Sequence, residues 1–361
     1  QIIEGVGTSS DYIAHAADTR SFIAESRKVT NILAKQFEMK KQADAHKRVQ
    51  ISKTGTLDTV KMMNYKWSED VFRKTATVRE GKNHGLVMFI DWSGSMSDCI
   101  QQTMDQMVQL VLFCKKVNIP FEVYAFTSHF EGRYNRNNAA RTMWSNDEVN
   151  EHDWVSNDTG LRSFNLLNLF SSRMNKRQFD SAIIGARYIA AANATYQMVL
   201  PAGFNLGSTP LDESIVAAFQ IIPEFQTRNN VQIVNTVFMT DGCSDGNSIT
   251  PSDRIRVKGQ RIGVRSNEVR TTAVLLDMLQ QTTNTNAIGM FLSDASDRRF
   301  EYMGSHFETE DDMETAKGTW KSDNYAIATR KGGYAENFLI KSKKRVDNKG
   351  IEDLPENASN T

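Results

Sequence analysis

The five consecutive residues Asp91-Trp92-Ser93-Gly94-Ser95 put one carboxylate and two hydroxyls at alternate positions of a short stretch. In extended backbone a spacing of two points Ser93 and Ser95 the same way, and Gly94 between them permits a tight path. A second carboxylate stands in Phe238-Met239-Thr240-Asp241-Gly242, where an apolar run again stops at an aspartate followed by glycine. Between the two lies Gly207-Ser208-Thr209-Pro210-Leu211, a threonine just ahead of a helix start, where proline suits the first turn. Carboxylate and hydroxyl oxygens are hard ligands that suit Mg²⁺ or Mn²⁺ rather than zinc. A cation beside Ser93 faces the positive end of the helix that follows, so carboxylates must offset the dipole. Asp91 supplies one and Asp241 the second.

These residues need strand ends to hold them. Leu86-Val87-Met88-Phe89-Ile90 is a continuous apolar run, as expected of a parallel strand buried on both faces. The helix after it, capped by Ser97 or Asp98, keeps Ile100, Met104, Met107, Val108, Val111 and Val117 near one stripe. Further strands are predicted at Phe121–Phe126, 231–239, 286–292 and Phe338-Leu339-Ile340, and helices at 178–193, 211–221 and 268–281. Strands alternating with helices indicate an α/β fold with a doubly wound, mostly parallel, Rossmann-like sheet. Ligands of such sheets bind at the carboxyl ends of the strands, where all three motifs fall.

Before this core the sequence predicts a helical extension over residues 1–80. Ile13, Phe22, Ile23, Ile32, Leu33 and Phe37 recur at helical spacing within 10–50. A turn at Thr54-Gly55-Thr56 and a second amphipathic stretch from Asp58 toward Arg73 follow, then the polar linker Arg79–Asn83. The core domain spans 84–341, with polar insertions at about 131–207 and 294–332 and a flexible tail at 342–361.

Asp-x-Ser-x-Ser, a Thr-Pro-Leu loop and a Thr-Asp-Gly strand end, in this order, resemble the metal-ion-dependent adhesion site (MIDAS) of von Willebrand factor A (VWA) domains. The resemblance implies that Ser93, Ser95 and Thr209 reach the metal through oxygen, with Asp91 and Asp241 acting directly or through bound water. One coordination position then stays open for the Asp or Glu of a protein ligand. More narrowly, Thr54-Gly55-Thr56-Leu57-Asp58, Val71-Phe72-Arg73-Lys74 and Asp91–Met96 look like the VWA subunit of aerobic cobaltochelatase, and like VWA proteins that work with MoxR-type AAA+ ATPases. Relatives of this kind occur in large tailed bacteriophages. The resemblance implies an adaptor for an AAA+ ATPase or, alternatively, a non-ATPase subunit of a complex that inserts metal into a tetrapyrrole.

Other chemistries find little footing. No Gly-x-x-x-x-Gly-Lys-Ser/Thr phosphate loop, HExxH pair or Gly-x-Ser-x-Gly elbow is present in the sequence. The six histidines form no metal-ligand pattern, and Cys99, Cys114 and Cys243 include no CxxC pair, which fits a reducing cytoplasm. No run approaches the length of a membrane span. The net charge of +0 argues against a nucleic-acid binder, although residues 1–85 hold 15 Lys and Arg against 10 Asp and Glu. Trp92 is expected in the core, and Asp212 and Glu213 either behind the metal or on a solvated first helical turn.

Overall fold

The computed structural model describes residues 10–47, 49–57, 72–78, 83–128, 164–195, 204–242, 244, 254–257, 260–263, 268–293 and 300–341. The apolar run of the first motif forms β3, His84–Asp91, buried from Val87 to Asp91. Its alternate side chains enter two separate cores. Met88 and Ile90 pack toward helices α2 (Ile100–Lys116) and α3 (Lys176–Thr195). Val87 and Phe89 pack toward α4 (Leu211–Asn229) and α5 (Glu268–Thr283). A strand with apolar residues on both faces is stable only between two layers, and this one has them.

β3 sits inside a seven-stranded sheet that also contains β4 (Phe121–Ser128), β5 (Phe164–Ser171), β6 (Ile233–Thr240), β9 (Thr285–Ser293), β10 (Tyr325–Ile327) and β11 (Glu336–Lys341). The spatial order is β10-β11-β9-β6-β3-β4-β5. β11, β9, β6, β3 and β4 run parallel, while the edge strands β5 and β10 are antiparallel to their neighbours. The chain steps from β3 to β4 on one side and returns to β6 on the other, so the order reverses at β3/β6. This is a mixed α/β fold compatible with double winding, and the reversal opens a crevice at the carboxyl ends of β3 and β6.

Several expectations need correction. The stretch 131–207 is no simple insertion, because it contributes β5 and α3 to the sheet and its core. Region 294–332 supplies a 3-10 turn (Phe300–His306), α6 (Glu310–Ser322) and β10, with Trp320, Phe300 and Phe307 buried in a third apolar cluster. The extension before the core is not wholly helical. After α1 (Ser10–Lys47) come β1 (Val49–Leu57) and β2 (Phe72–Val78), an antiparallel pair whose register shifts between Lys53 and Leu57, where the turn at Thr54-Gly55-Thr56 is expected. A second ribbon, β7 (Arg254–Val257) with β8 (Gln260–Gly263), has no counterpart in the sequence reading. The stretch at 58–71, linker residues 79–82 and the tail at 342–361 lie outside the described residues. No described helix is long and apolar enough to cross a membrane.

The face by which α1 docks keeps only part of its expected apolar set: Ile23 is buried and Phe22 and Phe37 pack beside it. Ala16, Thr19, Ile23, Ser26, Thr30 and Ala34 are buried, whereas Ile13, Ile32 and Leu33 are exposed. Small side chains let α1 lie close against α2 and α3. Arg187 of α3 fastens the contact, bonding Asp105 of α2 at 2.6 Å and Thr19 of α1 at 2.9 Å, with Phe22 against its guanidinium.

Candidate metal centre

Asp91 is the last residue of β3 and is fully buried. Thr240, the last residue of β6, donates from Oγ1 to Asp91 Oδ2 at 2.7 Å, which fixes that carboxylate across the crevice. Beyond Asp91 the chain turns through Ser93 into a 3-10 turn, Gly94–Asp98, before α2 begins. Because that turn takes up Ser97 and Asp98, the cap position of α2 falls to Cys99, with no side-chain cap bond. The hydroxyls of Ser93 and Ser95 lie 3.0 Å apart. Ser95 donates to Asp241 Oδ1 at 2.8 Å, joining loops 146 residues apart in sequence.

The third loop is bound to the first through its backbone. Gly94 N donates to Gly207 O at 2.8 Å and Gly207 N to Trp92 O at 3.0 Å, making Ser93 and Gly207 partners in a parallel bridge. That pairing brings Thr209, buried at 6% exposure, to the same end of the sheet. Ser208 N donates to Ser128 Oγ at 2.8 Å, and Thr127 Oγ1 to Trp92 O at 2.9 Å, so the end of β4 braces both loops. Trp92 is buried as expected, and its Nε1 donates to Phe204 O at 2.9 Å, an oxygen that also accepts from Asn193 Nδ2 at 3.0 Å. Ser93, Ser95 and Asp241 are therefore linked directly, Asp91 through Thr240, and Thr209 through its loop.

Asp212 and Glu213 are not on a solvated turn: both are buried where α4 begins. Asp212 accepts from Thr272 Oγ1 of α5, while its backbone N–H donates to Ser244 beyond β6. His84 is exposed at the start of β3, the end away from the motifs, and His129 lies outside the described residues.

Burial raises the Asp241 carboxyl above its usual range, while the Ser95 hydrogen bond and its own backbone pull the other way. Burial, reinforced by the charge of Asp241, pushes the Cys99 thiol up to about 12, so Cys99 is no nucleophile at neutral pH. Among the described residues no group of three or more His, Cys, Asp or Glu side chains is placed to hold a metal. The set gathered here is two carboxylates supplemented by hydroxyls, and this all-oxygen chemistry fits a hard divalent cation.

Sequence reasoning named the three loops but not what holds them. Thr240 was within a quoted motif without a role, and only the pairing of β3 with β6 supplies one. The Phe204 carbonyl left no sequence signal, because the hydrogen bond it accepts from Trp92 spans 112 residues.

No family model matches this chain, and no curated protein does. Among solved structures, the pilus adhesin SpaC of Lactobacillus rhamnosus GG in its open conformation aligns with 59% of this chain and 24% of its own, at TM-score 0.36 and 11% identity. The three N-terminal domains of the type V pili tip protein Mfa5 of Porphyromonas gingivalis align with 52% and 25%, at TM-score 0.26 and 10% identity. The chain thus spans about a quarter of the length of each.

Proposed function

We propose that this chain is a VWA-type adaptor in which Asp91, Ser93, Ser95, Thr209 and Asp241 hold one Mg²⁺ (or Mn²⁺) and present it to a protein ligand. The observation that carries the reading is the convergence of the Ser93–Ser95 loop with Asp241, sealed by the Ser95–Asp241 hydrogen bond. When bound, the cation supplies a positive charge that the Asp or Glu of a partner neutralises, which favours binding over catalysis. The residues around it supply the frame. Thr240 orients Asp91, the Ser93–Gly207 bridge sets the spacing of two loops, and buried Trp92 anchors the floor.

The partner class we favour is a separately encoded AAA+ ATPase of the MoxR type, since the sequence has the metal motifs and no phosphate loop of its own. Titration of Mg²⁺ into wild-type and Asp91→Ala proteins tests the metal reading. At a hundredfold excess over Kd the wild type should gain about 2.7 kcal/mol of stability, seen as a rise in Tm, and Asp91→Ala should gain none. Equal gains would remove Asp91 from the site. Mg²⁺-dependent co-purification with the AAA+ protein tests the partner.

A further inference from the structure

Ala328 N donates to Asn337 O and Lys341 N to Asn324 O, both at 2.9 Å, so Asn324, Ala326 and Ala328 turn their main-chain groups inward to β11. The alternation of an antiparallel ladder then sends the N–H and C=O groups of Tyr325 and Ile327 outward. They face the free edge of the sheet, where no strand among the described residues pairs with β10. Their side chains are 38% and 54% exposed. Register sets Ile340 beside Tyr325 and Phe338 beside Ile327, with Met290 next in line, so one apolar face runs up to this edge. Edge strands that stay single carry lysine, proline or a bulge. Tyr325-Ala326-Ile327 has none of these.

A strand of this kind fits a copy of itself. Turned about a two-fold axis through Ala326, perpendicular to the sheet, it meets its own outward groups in antiparallel register. Tyr325 of each copy then lies opposite Ile327 of the other, and each pair exchanges both main-chain hydrogen bonds. An aromatic and a β-branched side chain facing each other make a favourable cross-strand pair. Ala326 meets Ala326 on the opposite face, where it is fully buried in the cluster of Trp320, and its small side chain lets the strands close.

The charges agree with this turn. α6 runs antiparallel to β10, since Asp323 N donates to Thr319 O at one end and Thr329 Oγ1 to Asp312 Oδ2 at the other. The two-fold therefore brings the start of β10 in one copy to its end in the other. Exposed Asp323 then stands near exposed Arg330, and exposed Lys321 near exposed Glu308 and Asp311.

We propose that β10 is a self-association edge, through which two copies of this chain join their sheets into one. The contact is small, so the dimer is weak and reversible. It needs no metal at the strand ends.

Sedimentation velocity of the full chain should show monomer giving way to dimer as concentration rises from about 1 to about 100 μM. Ile327→Lys, at an exposed position, should keep the circular dichroism and Tm of the wild type and weaken dimerisation about tenfold or more. Separate Tyr325→Cys and Ile327→Cys proteins, on a Cys243→Ser background where Cys99 and Cys114 are buried, report the register. Oxidation of their mixture should yield the mixed disulfide in excess over either like pair. A wild type that stays monomeric across the range overturns the proposal. So does an Ile327→Lys protein that dimerises as tightly as the wild type, which would place the contact elsewhere. Like pairs in excess would remove the two-fold through Ala326 and overturn it too.

Discussion

Asp241 carries a negative charge at a place where burial opposes one, and a cation among its neighbours would reverse that balance. Its raised pKa makes the metal-free carboxyl easier to protonate than an ordinary aspartate of 3.8. The stabilising contribution of that proton is fully present below 3.8 and is lost as pH rises through the raised value. With Mg²⁺ at the proposed site, protons and the cation would compete for the same oxygen. Mg²⁺ affinity, followed by calorimetry from neutral pH downward, should begin to fall above pH 3.8, and Asp241→Asn should bind weakly with a flatter profile over that range. An identical pH dependence in both proteins would take Asp241 out of the site. Thr240 is expected to matter nearly as much as a ligand. Thr240→Val keeps the shape but removes the donor to buried Asp91 Oδ2, so metal-free Tm should fall, and Mg²⁺ affinity should fall about 10- to 100-fold beyond that loss. The motif residues were legible because each signal is contiguous in the chain. Thr240's partner lies 149 residues away and was legible only once β3 and β6 were paired.

Between elements, the tightest constraint is the contact of the 204–210 loop with β4. A Cβ on Gly207 would stand 2.3 Å from the Ser128 carbonyl and 2.5 Å from Thr127 Oγ1, both fixed by strand β4. Gly207→Ala must push the loop off, breaking the bridge to Ser93 that brings Thr209 in. The expected cost is about 1–3 kcal/mol of stability, together with loss of the Mg²⁺-induced rise in Tm. Gly94→Ala is the control, since its nearest new neighbour is at 3.9 Å and the fold should hold. Thermal melts with and without Mg²⁺ separate the two variants. The same scale shows where sequence patterns stop informing. The buried parallel strands announce themselves as apolar runs, but β5 has Asn165 and Asn168 among its apolar residues and a register shift against β4, so neither helix nor strand periodicity marks it. The ribbons β1–β2 and β7–β8 are mostly polar or basic and carry no apolar run. On α1 the visible stripe was right for Phe22, Ile23 and Phe37 but not for Ile13, Ile32 and Leu33, because the rest of the contact is made with Ala, Ser and Thr.

For the whole molecule, the open issue is how the α1 layer stays attached when its interface buries few large apolar groups. Arg187 is the fastening. Its side chain is 6% exposed and lies between Asp105, 29% exposed, and Asp18, 68% exposed. The three charges are not equivalent. Removing Asp105 strands a buried guanidinium with Thr19 and an exposed, weakly held Asp18 as its remaining polar partners, which costs about 3 kcal/mol or more. Removing Asp18 deletes a solvent-screened ion pair worth less than about 1 kcal/mol. Arg187→Met keeps an aliphatic body against Phe22 and leaves two carboxylates that can turn to water, so its cost falls between. The predicted order of destabilisation in urea unfolding is thus Asp105→Ala, then Arg187→Met, then Asp18→Ala. Amide exchange in α1 should accelerate in the same order, while β3 and β6 keep their protection. Were Arg187→Met to exceed Asp105→Ala, desolvation of the guanidinium would not be what governs this contact.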